Sequence, residues 1–176
     1  LLIPIAEPKA FITTTDFSGH NYVEMVQGVQ EKYPFLEAIV GLGRDLPDDV
    51  VSFEGWLEND IDGEILEDYL GKHKWTANDI FTICWTSGTE ADPKGVPRSH
   101  NHWISIAWFS VEGCELDVGC HLLNPFPMVN MSAIGGMLVP WLLTRGKLVM
   151  HHPLNLAVFI QQIAQEQINY TVSPPV

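Results

Sequence analysis

The sequence predicts an α/β fold with a mostly parallel sheet and flanking helices, and three stretches carry that prediction. Residues 10–43 read as strand, helix, strand, the order of a parallel βαβ unit with a right-handed crossover. Ile80-Phe81-Thr82-Ile83-Cys84-Trp85 is a run of β-formers leading into a segment rich in glycine and hydroxyl groups, which would place donors at the carboxyl edge of a sheet. From His121 onward, short apolar strands alternate with apolar helices.

Taken in order, Ala10 to Thr15 is β-branched and predicts the first strand, and Asp16, Ser18 and Gly19 predict a turn. Tyr22, Val23, Val26, Val29 and Tyr33 recur at helical spacing between Asn21 and Tyr33, and Pro34 ends that helix. Glu37 to Gly43 is the second strand. Residues 44–74 then form an acidic connection, for which one short helix is expected, burying Trp56, Leu57, Ile65, Leu66, Tyr69 and Leu70. Asp60-x-Asp62-Gly63 shares part of a calcium-loop pattern, but the full spacing is missing. The third region, 75–176, contains the strand at Ile80 and a helix from about His100 to Val111, capped by Ser99 and striped by Trp103, Ile106, Ala107 and Val111. A strand from His121 ends in a loop broken by Pro125 and Pro127. A strongly apolar helix follows from Ser132 to about Leu143, in which Gly135-Gly136 permits close approach. Lys147 to Met150 is the next strand, Leu156 to Glu166 an amphipathic helix with Val158, Phe159, Ile160 and Ile163, and Asn169 to Val176 a last strand ending in Pro-Pro.

A net charge of −13 excludes binding to a nucleic-acid backbone or an anionic membrane surface, both of which need Lys and Arg. Three cysteines cannot all pair in one chain, which points to a reducing, cytoplasmic setting, with Cys84, Cys114 and Cys120 as small buried apolar side chains. No metal site is expected: Cys120-His121 and His100-x-His102 lack ligand spacing, and His151-His152 reads as a solvated or helix-capping pair. No signal peptide is visible, and the longest apolar run, Ala133 to Leu143, falls short of a membrane span, so no transmembrane segment is expected.

The segment from Trp85 to His100 carries the chemistry. Thr86, Ser87 and Thr89 surround Gly88 with hydroxyls, Lys94 adds a mobile cation, and Pro93 stiffens the return. That set suits a polyphosphate. It is not the phosphate loop of P-loop NTPases, because Lys94 precedes Gly95 and Val96 follows it.

The segment resembles the phosphate-loop signature of the adenylate-forming superfamily, Thr-Ser-Gly-Thr-Thr-Gly-x-Pro-Lys-Gly-Val followed three residues on by His. Thr86 to Thr89, Pro93 to Val96 and His100 match in register, while Glu90 stands where Thr is usual and Ala91 where Gly is usual. A second family segment is matched from His121 to Ala133, with Asn130 in the place of a His or aromatic residue and Ala133 in that of a Gly. The ending Thr171 to Val176 is similar to the family's short strand before Pro-Pro.

The resemblance implies an incomplete N-terminal domain of an adenylate-forming enzyme, in the acyl-CoA synthetase branch. It implies that Thr86, Ser87, Gly88, Thr89, Glu90 and Lys94 contact the phosphates of ATP, and that Asn130, Ala133 and Gly135 lie at the acyl pocket. The implied parent uses ATP, Mg2+ and CoA on a carboxylic acid, and completes its site with further segments and a C-terminal domain carrying the catalytic Lys. No catalytic residue is implied within this chain, and the chain alone is expected to be inactive. A peptide-synthetase type adenylation domain and a degenerate nucleotide-binding lobe stay open as alternatives.

Overall fold

The computed structural model describes residues 2–86 and 92–172, and the chain divides into two compact units, Leu1–Lys74 and Trp75–Val176.

In the first unit a single-turn helix, α1 (Ile3–Ala6), precedes β1 (Ala10–Thr14). A tight antiparallel hairpin, β2 (Asp16–Phe17) with β3 (His20–Asn21), leads into α2 (Tyr22–Gln30). The expected turn is present, and its residues Ser18 and Gly19 both take positive φ. The Asn21 side chain accepts from Glu24 N at 3.0 Å and so starts α2. β4 (Ala38–Leu42) then pairs parallel with β1 from Ala10↔Ala38 to Thr14↔Leu42, which is the expected βαβ unit. Val23 and Val26, three residues apart on α2, pack with Leu36, Ile39 and Val50 to form the core.

The acidic connection holds more structure than the sequence suggested. β5 (Val51–Ser52) adds a third parallel strand on β4, giving the order β1-β4-β5, and two helices follow, α3 (Phe53–Glu58) and α4 (Gly63–Lys72). A strand of two residues has no periodicity to read. The expected burial on the helix is overturned: Trp56 is 51% exposed, Ile65 68% and Leu70 50%. Asp62 is a helix cap, accepting from Glu64 N at 2.9 Å.

In the second unit, β6 (Ile80–Trp85) pairs antiparallel with a strand the sequence reading lacked, β7 (Gly95–Ser99). Pro97 within it argues against a strand, but a two-stranded ribbon has only edges, where a missing N–H is tolerated. α5 (His100–Gly113) begins at a capping box: Ser99 Oγ accepts from His102 N, and His102 Nδ1 accepts from Ser99 N at 3.1 Å. Trp103 and Ala107 are buried along it, whereas Ile106 is 39% exposed.

β8 (His121–Asn124) is flanked by β9 (Lys147–Met150) and β10 (Tyr170–Thr171), both parallel to it, in the order β10-β8-β9. Between β8 and β9 the chain runs through α6 (Met131–Ala133), a π-helical turn (Ile134–Leu138) and α7 (Val139–Thr144). Cys120, Leu122 and Met137 form the core there. α8 (Leu156–Gln165) buries only Phe159 from its expected apolar stripe. Two further expectations are corrected. Cys114 is exposed at the end of α5, while Cys84 and Cys120 are buried. Of the His151-His152 pair, expected to be solvated or helix-capping, His152 is exposed, whereas His151 is buried, with Nδ1 donating to Gln162 Oε1 at 2.6 Å and Nε2 accepting at 3.0 Å from the N–H of Asn155, the N-cap residue of α8.

Candidate functional site

The β6–β7 hairpin brings Thr86 and Lys94 together at the end where the chain leaves β6 and returns to β7. Thr86 N donates to the Lys94 carbonyl at 3.1 Å, and Lys94 N donates back to Thr86 Oγ1 at 2.9 Å. This pair closes the base of residues 87–93. Gly95 lets the return strand lie against Trp85 and Ile83, since a Cβ there would come within 3.0 Å of the Ile83 side chain. The Lys94 ammonium is exposed and makes no ion pair with any described residue. It is therefore available to an anion. Ser87, Gly88, Thr89 and Glu90 lie outside the described residues.

Behind the hairpin, β6 turns Thr82 and Cys84 inward, and Trp103 packs on that face with Nε1 donating to Thr82 Oγ1 at 2.8 Å. Arg98 shares this face through its pairing with Thr82, and its buried Nε has no hydrogen-bond partner among the described residues, which is costly for a charged group. His100 stacks on Phe81 with ring centroids 4.5 Å apart, and both border a cavity with Trp103.

The second group of expected residues sits where α6 begins. Asn130 is exposed and caps α6, accepting from Ser132 N at 2.7 Å. Ala133 is fully buried. Gly135 is buried against α5: a Cβ there would stand 3.1 Å from both Trp103 and Ile106. Beside them opens a cavity of about 350 Å³, lined by Trp103, Ile106, Ser110, Met131, Ser132, Gly136, Tyr170 and Val172. Gly136, not Gly135, borders the open space, and a Cβ there meets nothing within 4 Å. Tyr170 forms one wall; burial first, and then the neighbouring Cys114 and Cys120, push its phenol above the usual range.

Sequence reasoning missed Thr82, Met131, Ser132 and Tyr170 as site-forming residues, while Gly136 was read together with Gly135 as a point of close approach. The inward alternation of Thr82 was readable, but nothing in spacing pairs it with an indole 21 residues on. A second cavity, also about 350 Å³, lies in the first unit, lined by Thr15, Asp16, Asn21, Glu24, Arg44 and Asp45 among others. Three carboxylates against one guanidinium disfavour an anionic ligand there. The exposed ammonium of Lys94 lies on the hairpin of the second unit instead.

Among the described residues no group of three or more His, Cys, Asp and Glu side chains could hold a metal, and no helix is long and apolar enough to cross a membrane.

An indoleacetate–CoA ligase of Aromatoleum aromaticum is 26% identical over 132 residues, 73% of this chain and 24% of the ligase. A long-chain-fatty-acid–CoA ligase of Gallus gallus is 33% identical over 86 residues, 45% of this chain and 11% of that protein. MbtA of Mycobacterium smegmatis, solved in its apo form, shares the fold with a TM-score of 0.79 at 13% identity, covering 97% of this chain and 30% of MbtA. The chain thus spans about a quarter or less of the curated ligases it matches. With the model for AMP-binding enzymes matching residues 4–176, the chain belongs to the AMP-binding enzyme family.

Proposed function

We propose that this chain supplies the phosphate-binding hairpin and the acyl pocket of an ATP-dependent carboxylate–CoA ligase. The observation that carries the reading is the reciprocal pair of hydrogen bonds between Thr86 and Lys94, which places at one end of the hairpin a hydroxyl and an ammonium that has no ion pair among the described residues. The names of the two curated relatives, both CoA ligases, support it.

In this reading Thr86, Ser87, Gly88, Thr89 and Lys94 hold the β- and γ-phosphates of ATP, with Glu90 beside them, while a carboxylate oxygen attacks the α-phosphorus. Pyrophosphate leaves and an acyl-adenylate forms; the thiol of CoA then attacks the acyl carbon, giving a thioester and AMP. The hairpin's part is orientation and charge neutralisation, with no proton transfer assigned to it. The hydrocarbon part of the acid occupies the cavity bordered by Met131, Ser132 and Gly136, next to Asn130, Ala133 and Gly135. Mg2+ accompanies the nucleotide in this family; the described residues offer it no ligand set, and no step here depends on it. The remaining partners are CoA and the family's C-terminal domain, in a cytoplasmic protein.

The adenine-binding, ribose-gripping and catalytic-lysine segments of the family have no counterpart in these 176 residues. The purified chain alone is expected to form no AMP. Calorimetry of the longer protein with ATP tests the nucleotide half of the proposal. Heat of binding that is lost in Lys94→Ala is the expected result, and a complete absence of heat in the unaltered protein favours a degenerate lobe instead.

A further inference from the structure

Trp103 borders two cavities. One is the cavity just assigned to the acid, on the side of Gly136 and Tyr170. The other, about 310 Å³, lies on the side of Phe81, Ile104, Ile134, Leu138 and Leu142, and its lining is apolar apart from His100. The π-helical turn is arranged so that Gly136 faces the first while Ile134 and Leu138 face the second. Such turns are rare and occur often at functional sites.

The indole between them is held from two directions. Its Nε1 donates to Thr82 Oγ1 at 2.8 Å, and its six-membered ring lies over Gly135, where a Cβ would approach to 3.1 Å. Trp103 is only 2% exposed. It is a fixed partition rather than a loose surface ring.

The geometry points to Trp103 as the residue that sets the length of acid this protein accepts: the hydrocarbon fills the first cavity and stops at the indole, which closes off the second. Thr82 and Gly135 are positioning residues for that wall. The substrates so selected are carboxylic acids with compact hydrocarbon parts, and removing the wall would give longer chains an apolar extension. This rests on the reading that the first cavity takes the acid.

The test uses the full-length protein that carries this chain, with butanoate, hexanoate, octanoate and dodecanoate as probes and pyrophosphate release as the readout. Trp103→Ala is expected to raise the ratio of kcat/KM for dodecanoate over hexanoate by about tenfold or more, the scale of a methylene accommodated or refused by an apolar pocket. Thr82→Val shifts the ratio in the same direction by less, and Gly136→Leu lowers it. If Trp103→Ala does not fold, Trp103→Leu decides, since it keeps most of the core filled while shortening the wall. An unchanged chain-length profile in the folded Trp103 variant overturns the inference alone. No release with any acid in the unaltered protein sinks the underlying reading instead.

Discussion

Gly146 has no side chain because there is no room for one: a Cβ there would sit 1.8 Å from the carbonyl oxygen of Cys120 and 2.9 Å from its nitrogen. The contact is with backbone and cannot be relieved by a rotamer change, so Gly146→Ala is expected to cost at least about 3 kcal/mol, read from the urea midpoint. The sequence alone does not reveal this, since the clash depends on β9 lying beside Cys120. Gly135 is the converse case, read from sequence as a point of close approach and found with the Trp103 ring against it. Glu90 belongs to this scale too, although it lies outside the described residues. A carboxylate near bound phosphates costs about 1 kcal/mol at short range even in water. Glu90→Thr should therefore tighten ATP binding by the full-length protein about fivefold, and calorimetry showing equal or weaker affinity would refute the charge argument.

Elements with a local signal were legible, and those fixed by pairing were not. The helical spacing of Val23 and Val26 announced α2, and the capping residue Ser99 with the stripe from Trp103 announced α5, whereas the cap at Asn21 emerged only in the structure. Replacing Ser99 by Ala removes one half of the capping box, and the unfolding free energy should fall by about 1–2 kcal/mol. β7 and β5 escaped notice because proline and brevity hide them, and both are held in place by their partner strands. α4 misled in the opposite way: its apolar pattern predicted burial, yet Ile65 and Leu70 are exposed, because periodicity gives a face but not a neighbour. The β10-β8-β9 sheet has its own pH dependence. Burial first, and then Asp117, hold the Cys120 thiol above its usual range, and Tyr170 is raised as well. The folded state thus keeps these protons after the unfolded chain has released them, so stability is complete below the unfolded pKa values and declines as pH rises from roughly 8.5. A urea midpoint that falls with alkaline pH, less steeply in Cys120→Ala, is the expected outcome.

At the scale of the whole molecule, an acidic chain binds a polyanion only through local donors, and the proposed site draws them from the place where Thr86 and Lys94 meet. The α/β class and the AMP-binding family were both legible, because the ordered residues around Gly88 and Gly95 are a local signature. The cavity was not. Its walls come from α5, the start of α6, the π-helical turn and β10, which only the fold assembles. The central claim is that these parts serve carboxylate activation, and it is tested most directly by pyrophosphate release from ATP by the full-length protein. The account predicts release that requires a carboxylic acid and falls at least tenfold in Lys94→Ala, the scale of one lost charge-assisted contact. A protein that binds ATP yet releases no pyrophosphate with any carboxylic acid supplied would contradict it.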